Sequence, residues 1–381
     1  MPTLGEITAL LDEWFPPHQA DDWDAVGLVL GDPAHDVRRI LLAVDPVGSV
    51  ADEAILHDAD LLVTHHPLFL KGVHGIAATD PKGRVAHRLV SNGCALFAAH
   101  TNADSPVGGV SESLALALGL QDPRPLEPAA EGLDKFVVFV PAEHAGRVRA
   151  AMAAGGAGKI GNYDQASFTS VGEGRFRPLE GARPAIGEVG RPEVVDEVRI
   201  EMVASRAARD QVYEQMRAAH PYEEPAYDVI ELAAVPDAAR GSGRIGHLET
   251  AVTLEEFAAS VAAVLPETAH GVRVAGDPEQ PVRTVALCGG AGDFLLDRAR
   301  AELADVYVTS DLRHHPASEL REYAASVGAP ALVDVAHWAA ESTWLPVLRD
   351  RLVAALGHLS GGDTVEVRVS ATNTDPWTFR V

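Results

Sequence analysis

The stretch Ala59-Asp-Leu-Leu-Val-Thr-His-His-Pro67 decides how this chain is read, because most of it occurs twice. Ala304-Asp-Val-Tyr-Val-Thr309 repeats its apolar run, and His314-His315-Pro316 follows a few residues later. A short continuous apolar run is what a strand buried on both faces requires. Working outward, Val37-Arg-Arg-Ile-Leu-Leu-Ala-Val44 upstream matches Val282-Arg-Thr-Val-Ala-Leu-Cys288. Downstream, Ala95-Leu-Phe-Ala-Ala-His100 with Asp104 matches Ala331-Leu-Val-Asp-Val-Ala-His337 with Glu341. Three matches in one order point to an internal duplication, two related α/β halves. Amphipathic stretches such as 50–57 and 294–303 separate the runs. Strands crossed over by helices give largely parallel or mixed sheets, so the expected class is α/β.

The repeat is interrupted. Gln121-Asp-Pro-Arg-Pro-Leu-Glu-Pro128 reads as a proline-rich link, and the Gly, Ser and Arg residues of 236–243 close the segment. Inside it the pattern predicts strand 135–140, helix 144–153, strand near 167–172, strand 197–203, helix 207–220 and strand 226–232. That βαββαβ order is of the ferredoxin-like type. The expected organisation is a first half over 1–125, an inserted domain over 126–240, and a second half over 241–381 that packs with the first.

Composition narrows the functional classes. With 381 residues and 47% apolar content the chain can bury more than one core. No apolar run approaches the ~20 residues of a membrane span. Met-Pro-Thr-Leu-Gly-Glu at the N-terminus lacks the basic and apolar regions of a secretory signal. Cys94 and Cys288 alone make no disulfide framework and no cysteine zinc knuckle, which fits a reducing cytoplasm. A net charge of −24 repels a phosphate backbone and argues against general nucleic-acid binding.

The histidines carry the chemistry. His65 and His66 end the first repeated strand, with Pro67 restricting the backbone after them. Adjacent strand residues face opposite ways, so both imidazoles reach one place only if the chain turns, or if they serve two metals. Asp104 is either a hard oxygen ligand or an N-cap for a helix over 111–118. His337 and Glu341 stand at i, i+4, on one helical face. Together His65, His66, Asp104, His337 and Glu341 place five nitrogen and oxygen donors at strand ends, where open α/β sheets bind ligands. Two cations about 3.5 Å apart need about this many ligands. Asp311 and His315 look like the second half's counterparts of His65 and His66 at an altered spacing, and His100, Asp311 and His315 are candidates for orienting a ligand or for proton transfer. Cys288-Gly-Gly-Ala-Gly-Asp293 is either a phosphate cradle or a tight turn.

Trp23-Asp-Ala-Val-Gly-Leu28, Val63-Thr-His-His-Pro-Leu68, His100-Thr-Asn-Ala-Asp104, Val308-Thr-Ser-Asp311 and His337-Trp-Ala-Ala-Glu341 together resemble the NIF-three-like dinuclear-metal family, the GTP cyclohydrolase I type 2 homologues. The likeness covers both halves. The segment with His220-Pro-Tyr-Glu-Glu-Pro-Ala-Tyr227 looks like the PII/CutA-like module of longer bacterial members. Ala25 stands where the family usually has Asn, and Ser310 where Gly is usual. The resemblance implies a toroidal homohexamer with the same five metal ligands. It also implies a metal-dependent hydrolase opening the ring of GTP by attack of an activated water at C8. Lys71, Arg84, Arg88 and Arg313 lie near the site in sequence and could meet a triphosphate. The alternatives are another small phosphorylated substrate, or a non-catalytic metal-binding or regulatory protein. Two divalent cations per chain are expected, and a donor set without cysteine suits zinc, iron or manganese. An Ala-rich and Leu-rich surface over 112–120 is a further reason to expect self-association.

Overall fold

The computed structural model describes residues 1–326, 328–359 and 364–381. It divides into two compact units, Met1–Ala129 with Ala238–Val381, and Ala130–Asp237. The first stretch of chain contributes β1 (Gly27–Leu30), β2 (Arg39–Ala43), β3 (Leu61–Thr64), β4 (Ala95–Ala98) and β5 (Gln121–Glu131). Next come β6 (Leu133–Pro141), β7 (Phe168–Phe176), β8 (Glu193–Ser205) and β9 (Tyr227–Glu231). The last stretch holds β10 (Val235–Thr253), β11 (Val272–Ala275), β12 (Pro281–Ala291), β13 (Val306–Ser310), β14 (Ala331–Val335) and β15 (Glu366–Val369).

The larger unit contains two sheets, in the orders β1-β4-β3-β2-β15 and β11-β14-β13-β12-β10-β5. In the first, β2, β3 and β4 run parallel and β1 lies antiparallel to β4. In the second, β12, β13 and β14 run parallel and β11 lies antiparallel to β14. Four strands of each sheet therefore share one spatial order and sense. Matching carboxylates pin the register. Asp60 accepts the N–H groups of Arg38 (2.7 Å) and Arg39 (2.9 Å), and Asp305 accepts those of Arg283 (2.9 Å) and Thr284 (2.8 Å). A capping box opens the helix that leads into each sheet: Thr3 with Glu6 for Leu4–Trp14, and Thr253 with Glu256 for Leu254–Val264. This Thr-x-x-Glu signal is a fourth correspondence between the two stretches.

Both sheets are covered on both faces, which is why their strands read as continuous apolar runs. Leu4, Leu11, Phe15 and Trp344 pack on one face of the first sheet through Ile40, Leu42, Val63 and Phe97. Val50, Ala54 and Leu89 meet Leu41, Leu62 and Leu96 on the other. In the second sheet Phe257 and Val261 cover Val285, Val306 and Val333, while Leu295 and Leu320 cover Ala286, Tyr307 and Leu332.

Two expectations need correction. Residues 121–128 are not a link; they begin β5, the edge strand beside β10, which itself contains 236–243. Pro123 and Pro125, two apart and so on the same side of the strand, cannot donate to a ladder, but an edge strand needs donors on one side only. The surface over 112–120 is also mostly internal. Leu114, Ala115, Leu118 and Leu120 pack with Phe257 and Val261, and of the leucines there only Leu116 is exposed.

The smaller unit runs strand, helix, strand, strand, helix, strand. Its four strands lie in the order β7-β8-β6-β9, each antiparallel to its neighbour. Helices Ala145–Ala154 and Arg209–Ala219 pack on the sheet through Val148, Met152, Val212 and Met216, against Phe136, Val138, Ile200 and Met202. Among the described residues no helix is long and apolar enough to cross a membrane.

Candidate metal centre

β3, β4 and β14 all deliver histidines just past their C-terminal ends. His65 and His66 continue the β3 ladder, their N–H groups bonding the carbonyls of Ala43 (3.1 Å) and Val44 (2.9 Å). The Thr64 hydroxyl then donates to the His66 carbonyl (2.8 Å), turning the chain ahead of Pro67. The two side chains lean on different neighbours. His65 Nδ1 pairs with the Ala99 carbonyl (2.9 Å) and His66 Nδ1 with Asp45 Oδ1 (2.7 Å), yet the rings stay 5.0 Å apart. His100 precedes the short helix Thr101–Asp104, and His337 opens His337–Ser342 with Glu341 one turn on. Each again leans on a carboxylate: His100 Nδ1 on Asp24 (2.8 Å) and His337 Nδ1 on Asp311 (2.7 Å). Asp311 adopts a left-handed backbone (φ 54°), a conformation Asp tolerates better than most residues.

These outer contacts set the tautomers. Carbonyls and carboxylates only accept, so each Nδ1 must carry the proton, and each neutral imidazole keeps its Nε2 lone pair free. Those lone pairs face carboxylates. His65 Nε2 lies 3.4 Å from Glu341 Oε1 and 3.6 Å from Asp104 Oδ1, His66 Nε2 3.1 Å from Glu341 Oε2, and His337 Nε2 2.7 Å from Glu341 Oε1. One ligand atom each from His65, His66 and His100 falls within 4.8 Å of the others, and so do those of His66, His337 and Glu341. Glu341 is only 3% exposed. Its Oε2 and Asp104 Oδ1 are enclosed and accept no hydrogen bond among the described residues. Acceptors facing acceptors in a buried site are unfavourable unless protons or a cation stand between them.

The electrostatics carry the same demand for positive charge. Burial opposes charging His66, but Glu341 and Asp45 outweigh it and raise its pKa to about 10. His337 rises against burial to about 11, through Glu341 and Asp311. Burial lifts Asp104 to about 6. For Glu341 burial is overcome by His65, His66 and His337, which hold it well below the usual carboxylate range. A divalent cation would supply that positive charge and displace the protons.

His65, His66, His100, His337 and Glu341 thus come together, and Asp104 Oδ1 lies beside His65 Nε2. Asp104 is not an N-cap: the helix Val110–Ala117 begins after Gly109 with no side-chain cap. His315 stays apart, exposed in the first turn of His314–Ser326 with its ring 5.3 Å from that of His314. The repeat explains why. Thr64 corresponds to Thr309, so the counterparts of His65 and His66 are Ser310 and Asp311 rather than His315.

Three contributors were missed. Asp45 stands at the end of β2, a carboxylate in the same strand-end position as the histidines, and its Oδ2 accepts the Thr374 hydroxyl. Asp24, visible in the Trp23-Asp24 motif, also accepts the Thr101 N–H (3.0 Å). Gly290, in the glycine-rich turn, has φ 76°, and a Cβ there would sit 2.6 Å from Glu341 Oε1. The turn therefore provides close approach to Glu341. A cavity of about 460 Å³ opens on the centre between Trp23, His100, Asp104, Gly290, His337 and Glu341. Beside His66 and Asp45 a second cavity of about 420 Å³ is walled by Lys82, Arg84 and Arg88.

An α/β unit of two like sheets, with histidines and carboxylates converging past its strand ends, defines the class. The model of the Duf34/NIF3 (NGG1p interacting factor 3) family matches residues 2–376, and the chain belongs to that family. The GTP cyclohydrolase 1 type 2 homolog of Mycobacterium leprae (strain TN) is 46% identical over 376 residues, 98% of this chain and 94% of that protein. The protein of the same name from Bacillus subtilis (strain 168) is 38% identical, covering 98% of each chain. Among solved structures, a Bacillus cereus protein related to NIF3 is 37% identical with a TM-score of 0.72, covering 100% of this chain and 99% of its own. Staphylococcus aureus protein SA1388 is 28% identical with a TM-score of 0.77, covering 99% of each.

Proposed function

We propose that the larger unit is a metal-dependent hydrolase that holds two divalent cations through His65, His66, Asp104, His337 and Glu341. One observation carries this reading: inward Nε2 lone pairs converge on two carboxylates, and the enclosed Asp104 Oδ1 and Glu341 Oε2 accept no hydrogen bond among the described residues. The donor set fits zinc, iron or manganese. Bound there, such cations supply Lewis acidity and lower the pKa of water toward neutrality.

The chain's own residues do the rest. Ala99, Asp45 and Asp311 hold His65, His66 and His337 in the tautomer that offers Nε2. Glu341 or Asp104 would be the carboxylate shared by the cations, and Glu341 has Oε1 facing His65 and His337 and Oε2 facing His66. His100, anchored on Asp24, takes the proton of the attacking water, and Asp24 stabilises the resulting imidazolium. Lys82, Arg84 and Arg88 beside His66 favour a phosphorylated substrate. GTP is the substrate the relatives' names point to, opened by attack at C8 with protonation of the departing nitrogen. The strand order of the smaller unit supports the ferredoxin-like, PII/CutA-like reading of the insertion. A cytoplasmic homohexamer is the assembly the resemblance implies, and light scattering tests it.

The test is incubation of full-length protein of known metal content with GTP, with products followed by chromatography. Turnover should require the metal and slow in His100→Ala at nearly unchanged metal content. Fully metallated protein that leaves GTP intact would end the cyclohydrolase reading. Full metal occupancy in both His66→Ala and Glu341→Ala would end the ligand assignment.

A further inference from the structure

The smaller unit carries a cavity of its own that has no part in the metal centre. It measures about 240 Å³ and lies between the end of β7, the 178–186 loop and the chain around Tyr222. Its walls include Phe176, Pro178 and Ile186, and its polar groups include Glu197 and Tyr222. Drug-sized ligands occupy roughly 300–1,000 Å³, so this space takes something smaller.

Glu197 is the anomaly. It lies on β8 at 9% exposure, and no arginine, lysine or histidine among the described residues pairs with it. The other charged groups around the cavity are engaged. Arg175 pairs with Glu173 (2.6 Å), and Glu223 accepts the Arg183 N–H (2.8 Å). Room for the Glu197 carboxylate exists only because residue 174 is glycine, where a Cβ would fall 2.1 Å from Glu197 Oε2. The Tyr222 hydroxyl is enclosed beside Glu197, toward which it can donate, and makes no other hydrogen bond among the described residues. Its ring is flanked by Phe176 (centroids 5.6 Å apart) and His220 (5.2 Å). A buried carboxylate without a cation is unfavourable. Here it sits in a slot made by a glycine, at a cavity with aromatic walls.

We propose that this cavity binds a small organic cation, a primary ammonium on a short apolar stem. The ammonium donates to Glu197 and to the Tyr222 oxygen, satisfying two groups at once with its three N–H donors. The stem lies against Pro178 and Ile186, and the aromatic faces attract the charge. The apolar walls favour an alkylammonium over a bare metal ion, which takes several oxygen ligands. The same chemistry is offered by a free amine or by a lysine side chain of a partner protein.

The test is calorimetric titration of the full-length, metallated protein with pentylamine, with 1-pentanol and with the peptide Ala-Ala-Lys-Ala-Ala. Pentylamine should bind, and the uncharged alcohol of equal length should bind weaker by about tenfold or more. Glu197→Gln should lose about tenfold or more of the amine affinity at unchanged metal content. Tyr222→Phe removes a hydroxyl whose one neighbour is Glu197, so it should keep the fold and still weaken the amine several-fold. Tighter binding of the peptide assigns the site to a protein lysine, and tighter binding of pentylamine to a metabolite. The proposal is overturned if pentylamine does not bind at millimolar concentration, if the alcohol binds equally well, or if folded Glu197→Gln and Tyr222→Phe both bind like the parent.

Discussion

Replacing Asp45 should weaken metal binding although Asp45 is not among the proposed donors. Its Oδ1 lies 2.7 Å from His66 Nδ1, and its Oδ2 takes the Thr374 hydroxyl. Without the carboxylate, nothing fixes the Nδ1 proton of His66 or its ring orientation, and Nε2 becomes less basic. Loss of such an outer partner typically costs about 10–100-fold in metal affinity, or about 1.4–2.8 kcal/mol. Asp45→Ala should fall in this range. Asp45→Asn keeps an accepting oxygen but not its charge, and should sit at the low end. Thr374→Val removes one neutral hydrogen bond, worth about 0.5–1.5 kcal/mol, and acts on His66 only through Asp45, so its effect should be smallest. Competition against a chromophoric chelator at fixed pH measures all four proteins, with thermal melting as a check on folding. An Asp45→Ala affinity within twofold of the parent would refute the reasoning. So would a Thr374→Val loss larger than that of Asp45→Ala.

Gly290→Ala should lower metal content, because the left-handed backbone costs alanine about 1–2 kcal/mol and the new Cβ, 2.6 Å from Glu341 Oε1, must displace the carboxylate; full occupancy by elemental analysis would contradict this. Glu53 should make a distinct contribution to acid sensitivity. Burial raises its pKa, but hydrogen bonds from Ser370, Thr372 and the Ala371 N–H prevail and hold it below the usual carboxylate range. Its stabilisation is therefore complete above the unfolded value of about 4.3 and is lost as pH falls through the lower folded value. Glu53→Gln should melt at a temperature less dependent on pH across that window, and superimposable acid profiles would count against the assignment. Replacing 130–237 by a short Gly-rich turn between β5 and β10, which are sheet neighbours, should leave a folded protein with its metal. A folded remainder without metal would show that the smaller unit supplies a donor.

What the sequence disclosed followed from how local each signal is. β3 and β13 were legible because strands buried on both faces leave a continuous apolar run, and the repeat tied one to the other. β5 was misread because its prolines are turn signals in isolation, and only its position at a sheet edge makes them compatible with a strand. The proposed donors at 65, 66, 104, 337 and 341 stood out by type and by their place after strands. His315 was misplaced by matching its His-His-Pro to the first one rather than counting register from Thr309. The outer carboxylates obey no such pattern. Thr374 reaches Asp45 through a contact more than three hundred residues apart in sequence, and no local feature announces it.

The arrangement of the proposed donors also orders events during synthesis. His65, His66 and Asp104 lie in the first stretch of chain, whereas His337 and Glu341 emerge only after the smaller unit and five more strands. At about 5–20 residues per second, the roughly 230 residues between Asp104 and His337 occupy a ribosome for about 10–50 s. Throughout that interval the nascent chain carries two adjacent imidazoles and a carboxylate without Glu341. Such an incomplete set ranks metals by intrinsic affinity alone and favours copper over the others. Discrimination by geometry begins only when the last helix-borne carboxylate arrives, so the choice of metal belongs to the finished chain.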